Sequence, residues 1–129
     1  MLHQLLKRVF YIPFLPALMW AGLIFFGSTS MGVKVPIPTQ HWVEPDKLIH
    51  ALAYAGLGFL TLVGLYTHRR WQATRGNQLL VLFLCLLFGV SLEFVQGAFF
   101  PGRMFEFPDM AANAVGLGLG WLIYSLFFT

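Results

Sequence analysis

The sequence predicts an all-α, polytopic membrane protein: a bundle of four transmembrane helices with both termini in the cytoplasm. Three observations predict it. The chain is 58% hydrophobic and only 10% charged, against roughly 25% charged in soluble domains. Its apolar residues gather into four segments, each close to the ~20 residues that a helix needs to cross a bilayer core. Its basic residues are spread unevenly over the intervening loops. At 129 residues, with 14 phenylalanines, a single soluble domain (1-129) could not hide so much apolar surface, so the expected solvent is lipid.

The first span is expected over about residues 9-27, without a charge between Arg8 and Lys34. Lys7 and Arg8 ahead of an apolar stretch have the look of a signal peptide. The stretch is longer than a usual signal core, however, and Pro13 and Pro16 lie near its start. A retained helix is the expectation, preceded by a short interfacial helix over Met1 to Phe10, with the prolines setting the turn into the membrane. The second span, about 48-66, carries His50 near its start. The third, about 79-99, is interrupted by Glu93, and the fourth, about 109-128, has Asn113 in its first turns. Lipid offers the backbone no hydrogen bonds, so each span is a helix. None shows the alternation of a transmembrane barrel strand.

Basic residues orient the chain. Lys7, Arg8, Arg69, Arg70 and Arg75 fall on the side of the termini; Lys34, Lys47 and Arg103 fall on the other. All five acids (Glu44, Asp46, Glu93, Glu106, Asp109) also fall on that second, extracytoplasmic side. The lone cysteine, Cys85, sits in an apolar run and reads as a small buried or lipid-facing residue. No basic tract is interleaved with aromatics, which argues against nucleic acid as a partner. Membrane lipids are the expected partners, and the sequence sets no oligomeric state.

Eight polar residues should meet in one extracytoplasmic layer: Asp46, Lys47, His50, Glu93, Gln96, Arg103, Asp109 and Asn113. Span two enters from outside and brings Asp46, Lys47 and His50. Glu93 lies 14 positions after Leu79, about 21 Å along its helix at ~1.5 Å per residue, well past the middle of a core roughly 30 Å thick. Span four begins outside with Asp109 and Asn113. Spacing agrees: His50 is four residues from Asp46 and from Tyr54, Glu93 is three from Gln96, and Asp109 is four from Asn113. The Asp109–Asn113 stripe continues through Gly116 and Gly120, a small-xxx-small pattern that lets membrane helices approach closely.

These residues carry a resemblance. Asp46-Lys47-Leu48-Ile49-His50, then Glu93-Phe94-Val95-Gln96, then Pro101-Gly102-Arg103, then Asp109 to Asn113 and Gly116 resemble the signature of VanZ-like membrane proteins in order and spacing, over roughly residues 46 to 120. Each piece alone is weak; four in order on hydrophobic helices are fairly specific. The resemblance implies a small multi-pass protein of the bacterial plasma (inner) membrane. The family takes its name from a factor associated with resistance to glycopeptide antibiotics, notably teicoplanin, so an envelope-related role of that type is what the resemblance implies. It does not imply a reaction.

Two readings stand for each residue. Glu93 is either a general acid or base tuned by its surroundings, or a structural group paired with Arg103, Gln96 or Asn113. His50 exchanges protons with water or makes a structural hydrogen bond. Asp109 joins Glu93 in proton transfer or caps its helix. Lys47 and Arg103 hold an anionic group, or respectively snorkel to water and fix the bundle. Gln96 and Asn113 orient other groups or link helices. Metal binding is not expected, because no tight ligand spacing exists and Lys47 and Arg103 would repel a cation. No cofactor is indicated.

Function is left with two main readings. One is an enzyme or binding site for a cell-envelope or lipid-linked anionic molecule, with catalysis by Glu93, His50 and Asp109 and binding by Lys47, Arg103, Gln96 and Asn113. The other is a non-catalytic membrane module or complex subunit whose polar cluster is structural. A transporter is a weaker third reading, since no internal repeat or broken helix is visible.

Overall fold

A computed structural model describes residues 1–30, 45–99 and 107–128. They form α1 (Leu2–Val9), α2 (Leu15–Ser30), α3 (Pro45–Thr67), α4 (Arg75–Phe99) and α5 (Phe107–Phe128), with no strand among the described residues. Among the described residues, three helices are long and apolar enough to cross a membrane, over Leu48–Thr67, Arg75–Val95 and Met110–Phe128. α2 is a shorter apolar helix, its apolar part running from Leu15 to Gly27. Its 16 described residues extend about 24 Å, short of a roughly 30 Å core.

The chain enters α2 later than the apolar run suggests. α1 closes at Phe10, whose amide donates to the Leu6 carbonyl at 2.8 Å. Pro13 has no amide to donate and disfavours helical backbone at Ile12, and α1 ends before it. A turn follows, and α2 restarts at Leu15, with Pro16 tolerated in its first turn. α4 begins earlier than the apolar run, at Arg75. Its cap is Thr74, whose Oγ1 accepts from the Asn77 amide at 3.2 Å, while its carbonyl accepts from the Gln78 amide at 2.9 Å.

α3 is the central helix; α2, α4 and α5 all pack against it. Leu62, Val63 and Leu65 of α3 are fully buried, with Phe10, Val81 and Tyr124 around them. A second cluster joins Tyr54 and Leu57 of α3 to Cys85 of α4 and Leu117 of α5. Tyr54 thus lies level with the later part of α4 and the start of α5, and Leu65 with the start of α4 and the end of α5. α3 and α5 run parallel, and α4 runs back between their ends.

The α3–α5 contact is backbone against backbone. A Cβ on Gly116 would collide with the Ala51 carbonyl, and one on Gly120 with the Ala55 carbonyl, as well as approaching the Phe59 amide at 2.9 Å. Gly118, on the other side of α5, faces open space. The expected small-xxx-small stripe is therefore the face that meets α3, at Ala51 and Ala55. Without a hydrophobic drive between helices in lipid, such close approach supplies the dispersion contacts that hold them. α2 uses the same device differently: Trp20 lies against Gly56, and its Nε1 donates to the Ala53 carbonyl at 2.8 Å.

One end of the molecule is basic. Leu6 and Phe10 of α1 pack with Ala73 and the ends of α3 and α5, and the Phe14 ring lies 5.6 Å from that of His68. This places Lys7 and Arg8 at the same end as Arg69, Arg70 and Arg75, all exposed. His68 organises the α3–α4 turn, its Nδ1 accepting from the amides of Arg70 and Trp71, each at 3.1 Å.

Candidate functional site

The opposite end collects the polar residues. α3 brings His50 and, one turn on, Tyr54; α4 brings Gly89 and, one turn on, Glu93; α5 brings Asn113. The three helices converge at Gly89. A Cβ there would lie 3.0 Å from both the Tyr54 hydroxyl and Asn113 Nδ2. Glycine is the residue that lets a phenol from one helix and a carboxamide from another meet over the third.

Three of the four polar groups described in this layer are withdrawn from the surface, and His50 is half-buried. Glu93 is 6% exposed, Tyr54 2% and Asn113 1%. Tyr54 and Glu93 are within electrostatic reach of each other, and Glu93 and His50 are both engaged by neighbouring groups. Asn113 Oδ1 differs: it is buried and, among the described residues, accepts no hydrogen bond. An acceptor left unpaired away from water costs about 1–3 kcal/mol. Among the described residues, no group of three His, Cys, Asp or Glu side chains assembles for a metal.

Of the sequence-derived candidates, Glu93, His50 and Asn113 are fully described, and all three lie at this one end. Lys47, Gln96 and Asp109 belong to α3, α4 and α5 near the same end, with their side chains outside the described set. Arg103 lies outside the described residues. Tyr54 is a member of the layer that sequence reasoning had placed only on the face of His50; its spacing from His50 was the available signal.

The chain matches the VanZ/LLP1 family over residues 13–128. It belongs to that family. With three helices suited to crossing a bilayer, this VanZ/LLP1 protein is a membrane protein. No curated protein and no solved structure matches it.

Chemically, the VanZ/LLP1 layer combines a carboxyl group, an imidazole, a phenol and a carboxamide in surroundings of low dielectric. Such groups interact more strongly there than in water. Ser91 is the nearest hydroxyl in sequence to Glu93, but it is exposed and its Oγ donates to the Leu87 carbonyl at 2.8 Å. It serves its own helix, as is usual for mid-helix serine.

Proposed function

We propose that this VanZ/LLP1 protein binds or acts on a cell-envelope or lipid-linked anionic molecule from the extracytoplasmic face. It does so as a bundle of four transmembrane helices in the bacterial plasma membrane, with both termini cytoplasmic. Lys47 and Arg103 hold the anionic group, Glu93 with His50 and Asp109 handles protons, and Gln96 and Asn113 orient the bound molecule. The family's association with glycopeptide resistance supports an envelope target of the teicoplanin-related type.

The observation that carries this reading is the unpaired Asn113 Oδ1. A polar cluster serving only as glue gains by filling every acceptor, because that is how polar groups hold helices in lipid. A buried acceptor left over at the end of the bundle that also carries Tyr54 and Glu93 is hydrogen-bonding capacity that a ligand donor can use. The structural reading has its own support: Glu93 and His50 are already engaged within the chain.

Glu93→Gln and Arg103→Lys separate the two. For each variant, folded yield is measured by size-exclusion chromatography. Retention of a polyprenyl phosphate is measured by native mass spectrometry, and teicoplanin susceptibility in the host. The binding reading expects normal yield with loss of retention and of any effect on susceptibility. Loss of folded protein in both variants favours glue. Full retention and effect in both removes the proposed site.

A further inference from the structure

We propose that the basic end of the molecule is a docking surface for anionic phospholipid headgroups, with α1 lying along the plane of the interface. This proposal is independent of the polar layer, which sits at the other end of α3, α4 and α5.

The first support is the pattern of α1. At 100° per residue, Leu5, Val9, Leu2, Leu6 and Phe10 fill one arc of about 140°, and His3, Lys7, Gln4 and Arg8 fill the rest. The apolar arc is itself divided. Leu6 and Phe10 pack into the protein core, whereas Leu2, Leu5 and Val9 are exposed. Half of the arc thus fastens α1 to the bundle and half is left to meet acyl chains. Tyr11 and Ile12, also exposed, continue that apolar surface into the turn before α2. This is the division expected of a helix that lies in an interface rather than crossing it.

Charge supplies the second support. Lys7 and Arg8 share their end with Arg69, Arg70 and Arg75 through the α1 packing and the Phe14–His68 contact. All five cations are exposed. The chain's five acids stand at 44, 46, 93, 106 and 109, so no acid occurs in residues 1–43 or 47–92. A surface with five cations, no acid in those segments, and an exposed indole at Trp71 is complementary to an anionic leaflet. Each such cation near the surface adds to the attraction, which decays within a Debye length.

The test uses the full chain reconstituted in phosphatidylcholine bilayers with trace spin-labelled phosphatidylglycerol or phosphatidylcholine. The relative association of the two labels with the protein is read at low and high salt. The expected result is a preference for phosphatidylglycerol that falls with salt. Neutralising Lys7, Arg8, Arg69, Arg70 and Arg75 to Gln should abolish it, bringing the two labels to parity. The K7Q/R8Q pair and the R69Q/R70Q/R75Q triple should each give an intermediate value; exchanging Lys for Arg and Arg for Lys should preserve it. No preference in the wild type, or one insensitive to salt, overturns the proposal even if the fivefold variant does not fold. So does a preference kept by a folded fivefold variant. Sodium phosphate is compared with sodium chloride at equal ionic strength. Equal effects support a lipid surface, and abolition by phosphate alone overturns it in favour of a free-phosphate site.

Discussion

Two buried carboxamides sit at opposite ends of this protein, and they are treated differently. Gln78, on α4 at the basic end, is 8% exposed and uses both halves of its amide. Its Nε2 donates to the Ala73 carbonyl at 2.8 Å, and its Oε1 accepts from Trp121 Nε1 at 2.9 Å. It therefore holds the start of α4 and ties α4 to α5. Asn113, on α5 at the polar end, is more deeply buried and leaves its Oδ1 without a partner. A satisfied amide is a fastener, and an unsatisfied one is a point where the protein has given up stability.

Substitutions at the two ends, and in the helix contact between them, should differ widely in effect. Largest is the frame both ends share. Gly116→Leu drives a side chain into the Ala51 backbone and should lose about 3 kcal/mol or more, seen as loss of monodisperse protein; Gly118→Leu, on the open side, should purify normally. Next comes the fastener. Gln78→Leu strands the Trp121 N–H and the Ala73 carbonyl and should lower stability by about 1–3 kcal/mol in reversible denaturation, without altering retention of a polyprenyl phosphate. Thr74→Ala, which removes the cap just ahead of Gln78, should cost about 1 kcal/mol in the same assay. Smallest in stability, and most informative, is Asn113→Leu. Removing an unfilled acceptor costs nothing on the Oδ1 side, so the stability loss should be smaller than that of Gln78→Leu, while ligand retention falls. A marked loss of stability there would place Asn113 with Gln78 as a fastener.

Much of this arrangement was legible because lipid imposes strong local rules. Glu93 stands out in an apolar helix, and Gly116 and Gly120 announce a close-packed face from their spacing alone. Residues 2–10 display their amphipathic arc without help from the rest of the chain. The start of α2 was partly legible: Pro13 and Pro16 marked a turn after a helix ending at Phe10, but hydropathy runs unbroken from Val9, so the first span was set at about residue 9 and the helix begins at Leu15. Pairings between distant residues were not legible. Gln78 and Trp121 are 43 residues apart, and nothing in either helix's periodicity names the other. The meeting of Tyr54 and Asn113 over Gly89 is likewise set by how three helices pack, and each helix alone shows only that it has a polar face. Arg103, which the sequence places beside this layer, lies outside the described residues, so its part in the layer rests on the sequence pattern.

The contact of Gly116 and Gly120 with Ala51 and Ala55 also has a mechanical meaning. Two helices whose main chains interlock at successive turns cannot slide or roll past one another without lifting apart. α3 and α5 therefore behave as a single stiff plate. α4 meets that plate mainly through side chains, among them Leu82 against Gly58, and Tyr54 and Asn113 against Gly89. Side chains can change rotamer where interlocked backbones cannot move. The seam along α4 is therefore the one closed by side chains, and Glu93 belongs to the helix on its far side.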